Sequence, residues 1–163
     1  MLAPPLLRGN SMKKFLSFAV ASGFGVGYFP FASGTAGSAA IIPFAFIASY
    51  FWGFWAIPVL AVIFWIAGTF ATREVLKYTK HDPSLVVVDE FVGQLIAIIP
   101  IATSMVWWHW MVAFFMFRFF DIIKPFPANY FDEKVLNSHG VMIDDVSAGI
   151  YAAMATGVII WLF

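Results

Sequence analysis

The chain contains no cysteine and little charge. The first absence excludes disulfides, thiolate zinc sites and phosphatase chemistry through a cysteine nucleophile. The second decides the solvent. Only 11% of the 163 residues are charged and 62% are hydrophobic, whereas about 25% of an ordinary soluble domain is charged. A fold of this size has too little interior to hide that much apolar surface from water, so its surroundings are lipid. Nine Lys and Arg balance nine Asp and Glu. No net positive field remains to attract nucleic acid.

What the chain has instead is long runs free of Asp, Glu, Lys and Arg: residues 15–72, 91–117 and 146–163. A crossing helix needs roughly 20 apolar residues. The runs predict an all-α polytopic membrane bundle of about five membrane-embedded helices, near 35–51, 54–77, 88–102, 107–123 and 144–162. A loop dense in Gly, Ser, Thr and Pro, residues 23–38, precedes the first crossing. Residues 15–21 read as a short interfacial helix. Residues 1–14 read as a flexible tail, with Met12 as a second candidate start, and 15–163 as a single membrane-embedded catalytic domain. No apolar segment followed by a cleavage site stands apart as a signal peptide. No pattern selects an oligomeric state.

The charges follow a topology. Arg8, Lys13 and Lys14 precede the first crossing, Arg73 to Asp82 lie between the second and third, and Lys124 to Lys134 between the fourth and fifth. If crossings alternate, all of these share one side. The opposite turns carry Trp52, Trp55, Trp107, Trp108 and Trp110 instead, residues that favour the bilayer interface. The basic side should be cytoplasmic and the C-terminus external.

Three acidic positions stand where helices meet the charged side: Asp89–Glu90 at the start of the third helix, Asp121 near the end of the fourth, and Asp144–Asp145 at the start of the fifth. Carboxylates at bilayer depth are costly unless paired, ligated or functional. Five of them with few cations would repel one another, and a divalent cation is the natural neutraliser. Oxygen ligands without cysteine favour Mg²⁺ or Mn²⁺ over zinc. The competing reading is that acids at helix starts only cap and complement the helix dipole. Adjacent helical residues diverge by about 100°, so one member of each pair can ligate while the other caps or meets a cation.

Arg118, Asp121 and Lys124 are spaced three apart along one helix face. Either Arg118 and Lys124 hold phosphate oxygens beside a metal at Asp121, or Arg118 and Asp121 pair within the helix and neutralise each other. In the glycine-rich loop, Gly34, Thr35, Gly37 and Ser38 open the first crossing helix. Free N–H groups there form an anion site, with Thr35 or Ser38 as cap or phosphate donor. The same small residues equally suit close helix packing. His81 and His139 are ordinary loop histidines or proton shuttles, and His109 sits among the far-side tryptophans.

Four blocks in order carry a family resemblance: Gly25-Val26-Gly27 through Gly34-Thr35-Ala36-Gly37-Ser38, His81-Asp82-Pro83 through Asp89-Glu90 to Gly93, Phe117-Arg118-Phe119-Phe120-Asp121-Ile122-Ile123-Lys124-Pro125, and Gly140 through Asp144-Asp145 to Gly149. Together they resemble phosphatidylglycerophosphatase A. Ser33 departs from the family, which often has Pro before Gly-Thr. The resemblance implies a Mg²⁺-dependent enzyme of the bacterial inner membrane. Its substrate would be a phospholipid in the bilayer, phosphatidylglycerophosphate, and its product phosphatidylglycerol. On that reading Asp89, Glu90, Asp121 and Asp144 or Asp145 hold metal, a spare carboxylate handles the attacking water, and Arg118, Lys124 and the glycine loop hold the phosphate. Two other classes remain open. A transporter also uses intramembrane acids, but would carry polar groups past the midplane. A lipid phosphotransferase shares the metal carboxylates, but its Asp-Gly-x-x-Ala-Arg arrangement is missing here.

Overall fold

The computed structural model describes residues 11–79 and 84–163. Arg8, Lys80, His81 and Asp82 therefore lie outside the described residues. Helix α1 (Ser11–Ala21) leads through a 3-10 turn at Val26–Tyr28 into α2 (Ser33–Trp52) and α3 (Ala56–Val75). Then come α4 (Val88–Ile98), a 3-10 turn at Ile99–Ile101, α5 (Trp107–Ile123), α6 (Ala128–Lys134) and α7 (Ser138–Leu162). No strand occurs among the described residues. The expected all-α bundle is what forms.

The crossings are less uniform than expected. Helices α2, α3 and α7 are long and apolar enough to span a membrane. Helix α5, with 17 residues, is at the lower limit for spanning, and α4, with 11, falls below it. Pro100 stops α4, because a prolyl nitrogen cannot donate the next helical hydrogen bond. α4 tolerates being short because protein surrounds it: Asp89, Phe91, Gly93, Gln94, Leu95 and Ala97 are all buried. It is the hub against which α2, α3, α5 and α7 pack.

Packing around that hub is inverted relative to a soluble protein. Ala45, Ala61, Ala97, Ala113, Ala148 and Ala152 fill the interior, while Phe44, Ile47, Val59, Ile66, Phe70 and Met154 face outward. Lipid is as apolar as a leucine side chain, so large residues gain nothing from burial and small ones let helices approach. The closest approach is between α4 and α7. A Cβ on Gly149 would lie 2.6 Å from the Gly93 carbonyl oxygen, and one on Gly93 would lie 2.7 Å from the Asp145 carbonyl oxygen. This crossing brings residues 144–145 beside the first turn of α4.

Three local expectations are corrected. Helix α6 forms between the two last expected helices, where the sequence reading places none. Helix α1, expected over residues 15–21, also takes in Lys13 and Lys14. Helix α7 begins at Ser138, six residues before Asp144. Its cap is Asn137, whose Oδ1 accepts the N–H groups of His139 at 2.9 Å and Gly140 at 3.2 Å. Asp144 and Asp145 thus lie in its second turn, beyond the reach of the helix dipole. The capping alternative for this pair is removed.

The one-sided charge distribution holds among the described residues. Lys13 and Lys77 meet Glu74, Arg118 meets Asp121, and Lys124 meets Asp132 and Asp144, all at one end of the bundle. At the other end, His109 Nδ1 lies 2.6 Å from Ser104 Oγ, and Trp110 Nε1 donates to the Ser104 carbonyl at 2.8 Å. His109 therefore fastens a turn.

Candidate active site

The first turn of α4 supplies Asp89 and Glu90. No side chain caps this helix, so its free N–H groups and dipole favour acids there. Asp89 Oδ1 accepts the Glu90 N–H at 3.0 Å. Helix α7 repeats the arrangement, with Asp144 Oδ1 accepting the Asp145 N–H at 2.9 Å.

The five acids divide. Asp89, Glu90 and Asp145 each bring a carboxylate oxygen within 4.8 Å of the others. Asp121 and Asp144 are taken by cations at the end of α5: Asp121 Oδ2 is 2.8 Å from Arg118 Nη1, and Asp144 Oδ2 is 2.7 Å from Lys124 Nζ just beyond it. The sequence reading that one member of a pair ligates while the other meets a cation fits Asp145 and Asp144. On α4 both members join the cluster. Two like charges near 5 Å repel by roughly 3 kcal/mol even at an effective dielectric of about 20. Asp89 and Asp145 retain only 6% and 4% exposure. Such a trio calls for a cation or for protons.

Helix α2 closes the site. Its start has Ala32 in the left-handed region at φ 48° and no side-chain cap, leaving its first N–H groups free. A Cβ on Gly34 would collide with Glu90 Oε1 and lie 3.3 Å from Arg118 Nη1. Glycine is what lets the helix start reach this carboxylate and guanidinium. Ser38 Oγ donates to the Gly34 carbonyl at 2.9 Å and accepts from Arg118 Nη1 at 3.2 Å. Gly37 packs against Val87. Ser38 and Thr35 lie inside α2, not at its cap, and Thr35 makes no side-chain hydrogen bond among the described residues.

Lys124 is differently placed from the phosphate-holding expectation. It stands in the left-handed region at φ 46° just beyond α5 and bridges Asp132 at 2.9 Å to Asp144 at 2.7 Å. Burial pulls its pKa down, but the Asp144 and Asp132 carboxylates more than offset this and hold it above the ordinary lysine value. It is a fixed cation that ties α5, α6 and α7 together. His139 stands at the exposed start of α7 and is not among the groups that converge on the cluster.

One residue escaped the sequence reading. Gln94 is fully buried, and among the described residues neither its Oε1 nor its Nε2 has a partner. It follows Glu90 by one helical turn, on the stripe through Val87 and Glu90 that meets Gly37 and Gly34 of α2. Glu90 Oε2 and Arg118 Nε are also buried without partners among the described residues. An orphaned buried amide costs about 1–3 kcal/mol. The signal for Gln94 is a lone amide in an otherwise apolar run, invisible to a search for charge alone.

Residues 19–160 match the family described as phosphatidylglycerophosphatase A. The chain belongs to this family. Phosphatidylglycerophosphatase A of Haemophilus influenzae is 39% identical over 137 residues, covering 83% of this chain and 83% of its own. The protein of that name from Escherichia coli is 36% identical over 137 residues, 82% of this chain and 77% of its own. A Bacteroides thetaiotaomicron protein provisionally named phosphatidylinositol-3-phosphatase is 38% identical over 154 residues, 91% of this chain and 96% of its own. No solved structure matches. The family assignment covers α2 through most of α7, and with them every element that contributes to the acidic cluster.

Proposed function

We propose that this protein hydrolyses the phosphate monoester of phosphatidylglycerophosphate, with Asp89, Glu90 and Asp145 holding Mg²⁺. The observation that carries the reading is the trio of carboxylates within 4.8 Å, set against Gly34 and Arg118, in a chain of this family. The donor set suits a hard cation: all oxygens, no thiolate, and a Glu90 Oε2 buried without a partner. When bound, the metal would polarise the phosphate and make water a better nucleophile. The protein's own groups do the rest. The α2 N–H groups and the Arg118 guanidinium receive the equatorial phosphate oxygens. Asp121 and Ser38 hold Arg118 in that pose. The Glu90 oxygen that does not hold the metal would take a proton from the attacking water as the new P–O bond forms, and would pass it to the glycerol oxygen as the ester P–O bond breaks. The acyl chains stay in the bilayer while the headgroup reaches in sideways.

The test is phosphate release from phosphatidylglycerophosphate by the purified protein. Chelation should lower the rate at least about 100-fold, and Mg²⁺ should restore it. No release in either condition sinks the enzyme reading, and release indifferent to chelator sinks the metal. Phosphatidylinositol-3-phosphate belongs in the same assay, because the Bacteroides relative bears that substrate's name.

Gln94 lies one helical turn from Glu90 on the same side of α4, and its unpartnered amide would serve the site by meeting bound water or substrate and not a protein group. Gln94→Leu should raise the melting temperature, by removing an orphaned amide, and lower the rate by about 10–100-fold. A rate unchanged in this variant removes Gln94 from the site.

The basic end belongs on the cytoplasmic face of the inner membrane, by the excess of Lys and Arg around α1 and α3. A cysteine at Asn137 should be protected from an impermeant reagent in intact cells, and one at Thr103 labelled; the reverse pattern overturns this orientation. A transporter is disfavoured because every described charge lies at one end.

A further inference from the structure

Helix α1 packs along the second half of α3, with Lys13 meeting Glu74 at 3.3 Å and Val20 lining one cleft with Ala67. Between them lies a cleft of about 510 Å³. Its mouth is cationic. Lys13, Arg73 and Lys77 surround a single acid, Glu74, which Lys77 already meets at 2.7 Å. Three cations against one carboxylate leave a surplus of two positive charges. Arg73 is exposed and makes no ion pair among the described residues. The inner end is apolar, formed by Val20, Ala67 and Phe70, and Phe70 is 68% exposed. Lys13 to Val20 spans seven residues, about 10 Å of helix. The cleft therefore passes from surplus positive charge to hydrocarbon over the distance at which a phospholipid passes from phosphate to acyl chain.

The surroundings fit the same occupant. Met12 and Phe15 of α1 project outward, seating the helix in lipid, while Leu16 lines the cleft. Lys14 lies 4.1 Å from the Tyr78 ring centre, adding a further cation at the same level. A free phosphate ion would leave the apolar end unfilled, and a zwitterionic lipid would leave the charge surplus unmatched. The cleft shares no residue with the carboxylate trio, which faces α2, α5 and α7 across α4.

We propose that this cleft binds one intact anionic phospholipid, its phosphodiester at Arg73, Lys77 and Lys13 and an acyl chain along Val20, Ala67 and Phe70. The lipid would be a resident of the α1–α3 face, separate from substrate in the active site.

Native mass spectrometry of the delipidated full chain in neutral detergent tests this, with dioleoyl phosphatidylglycerol and dioleoyl phosphatidylcholine as probes. One phosphatidylglycerol should be retained, with at least about tenfold preference over phosphatidylcholine. The double variant Arg73→Gln/Lys77→Gln should lose that preference, and Arg73→Lys/Lys77→Arg should keep it, each with the parent's melting temperature. Arg118→Gln should leave the retained lipid in place. The proposal is overturned by equal retention of the two lipids, by an unaltered preference in the Gln double variant, by loss of the lipid in Arg118→Gln, which would put it in the active site, or by displacement with inorganic phosphate alone.

Discussion

Asp145→Asn lowers phosphate release by about 10³-fold or more while leaving the protein folded. Asn keeps the size of the side chain and removes its charge. Asp145 belongs to the trio with Asp89 and Glu90, 4% exposed and without a cation of its own among the described residues. Neutralising it relieves repulsion within the metal-free trio, so the melting temperature in chelator should hold or rise. The gain on adding Mg²⁺, which reflects binding to the folded state alone, should vanish. Asp144→Asn is the contrast. It leaves Lys124 with only Asp132 at 2.9 Å and loosens the junction of α5, α6 and α7. Its main effect should be on stability, with a rate loss nearer tenfold, because the half-buried Lys124 loses one of two partners. Rates and melting curves for both variants, with and without metal, separate the two acids. Asp145→Asn retaining more than about a tenth of the parent rate would remove it from the metal site.

Gly34→Ala lowers the rate by about 10²-fold and leaves stability unchanged or raised. Alanine is the better helix former, and Gly34 sits in the first turn of α2. The new methyl group would occupy the place of Glu90 Oε1 and press on Arg118 Nη1. Both are ends of flexible side chains, so they move and the fold survives, but a displacement near 1 Å is enough to disable a positioned carboxylate. Gly93→Ala behaves in the opposite way. Its methyl group meets the Phe117 ring and the Asp145 backbone oxygen, neither of which can step aside, so the α4–α7 crossing opens and the fold is lost. Kinetics and thermal melting of the two variants read the distinction. Full activity in Gly34→Ala would detach the glycine loop from the site.

Much of this is legible without coordinates. The one-sided charges appear as charge-free runs, and the acids stand out because carboxylates at bilayer depth need a reason. The start of α4 is readable from Asp89 and Glu90 following the apolar stretch from Leu85 to Val88. Its early end is obscured, because residues 91–99 form an uninterrupted charge-free run. The start of α7 is hidden because Ser138 to Ile143 carry no strong helical period, whereas a single side chain, Asn137, fixes the boundary by accepting two N–H groups. Lys124 could not be assigned between phosphate and carboxylate from spacing alone. Its partner Asp132 comes from α6, a short helix that follows two prolines.

Composition and spacing were enough for the solvent, the helical class, the sidedness and the set of candidate acids. Each follows from a one-dimensional rule: lipid demands apolar runs, helices satisfy their own backbone, and charge collects where water is. Partnership among those acids is a different kind of fact. Asp144 and Asp145 are neighbours in the chain, yet one faces Lys124 and the other faces Asp89 and Glu90. The difference arises because Gly93 and Gly149 let α4 and α7 meet backbone to backbone at one rotation. Gln94 and Arg118 owe their buried, unpaired atoms to the same contact geometry. Chain distance says which groups are present, and packing at the α4 hub decides which of them share a site.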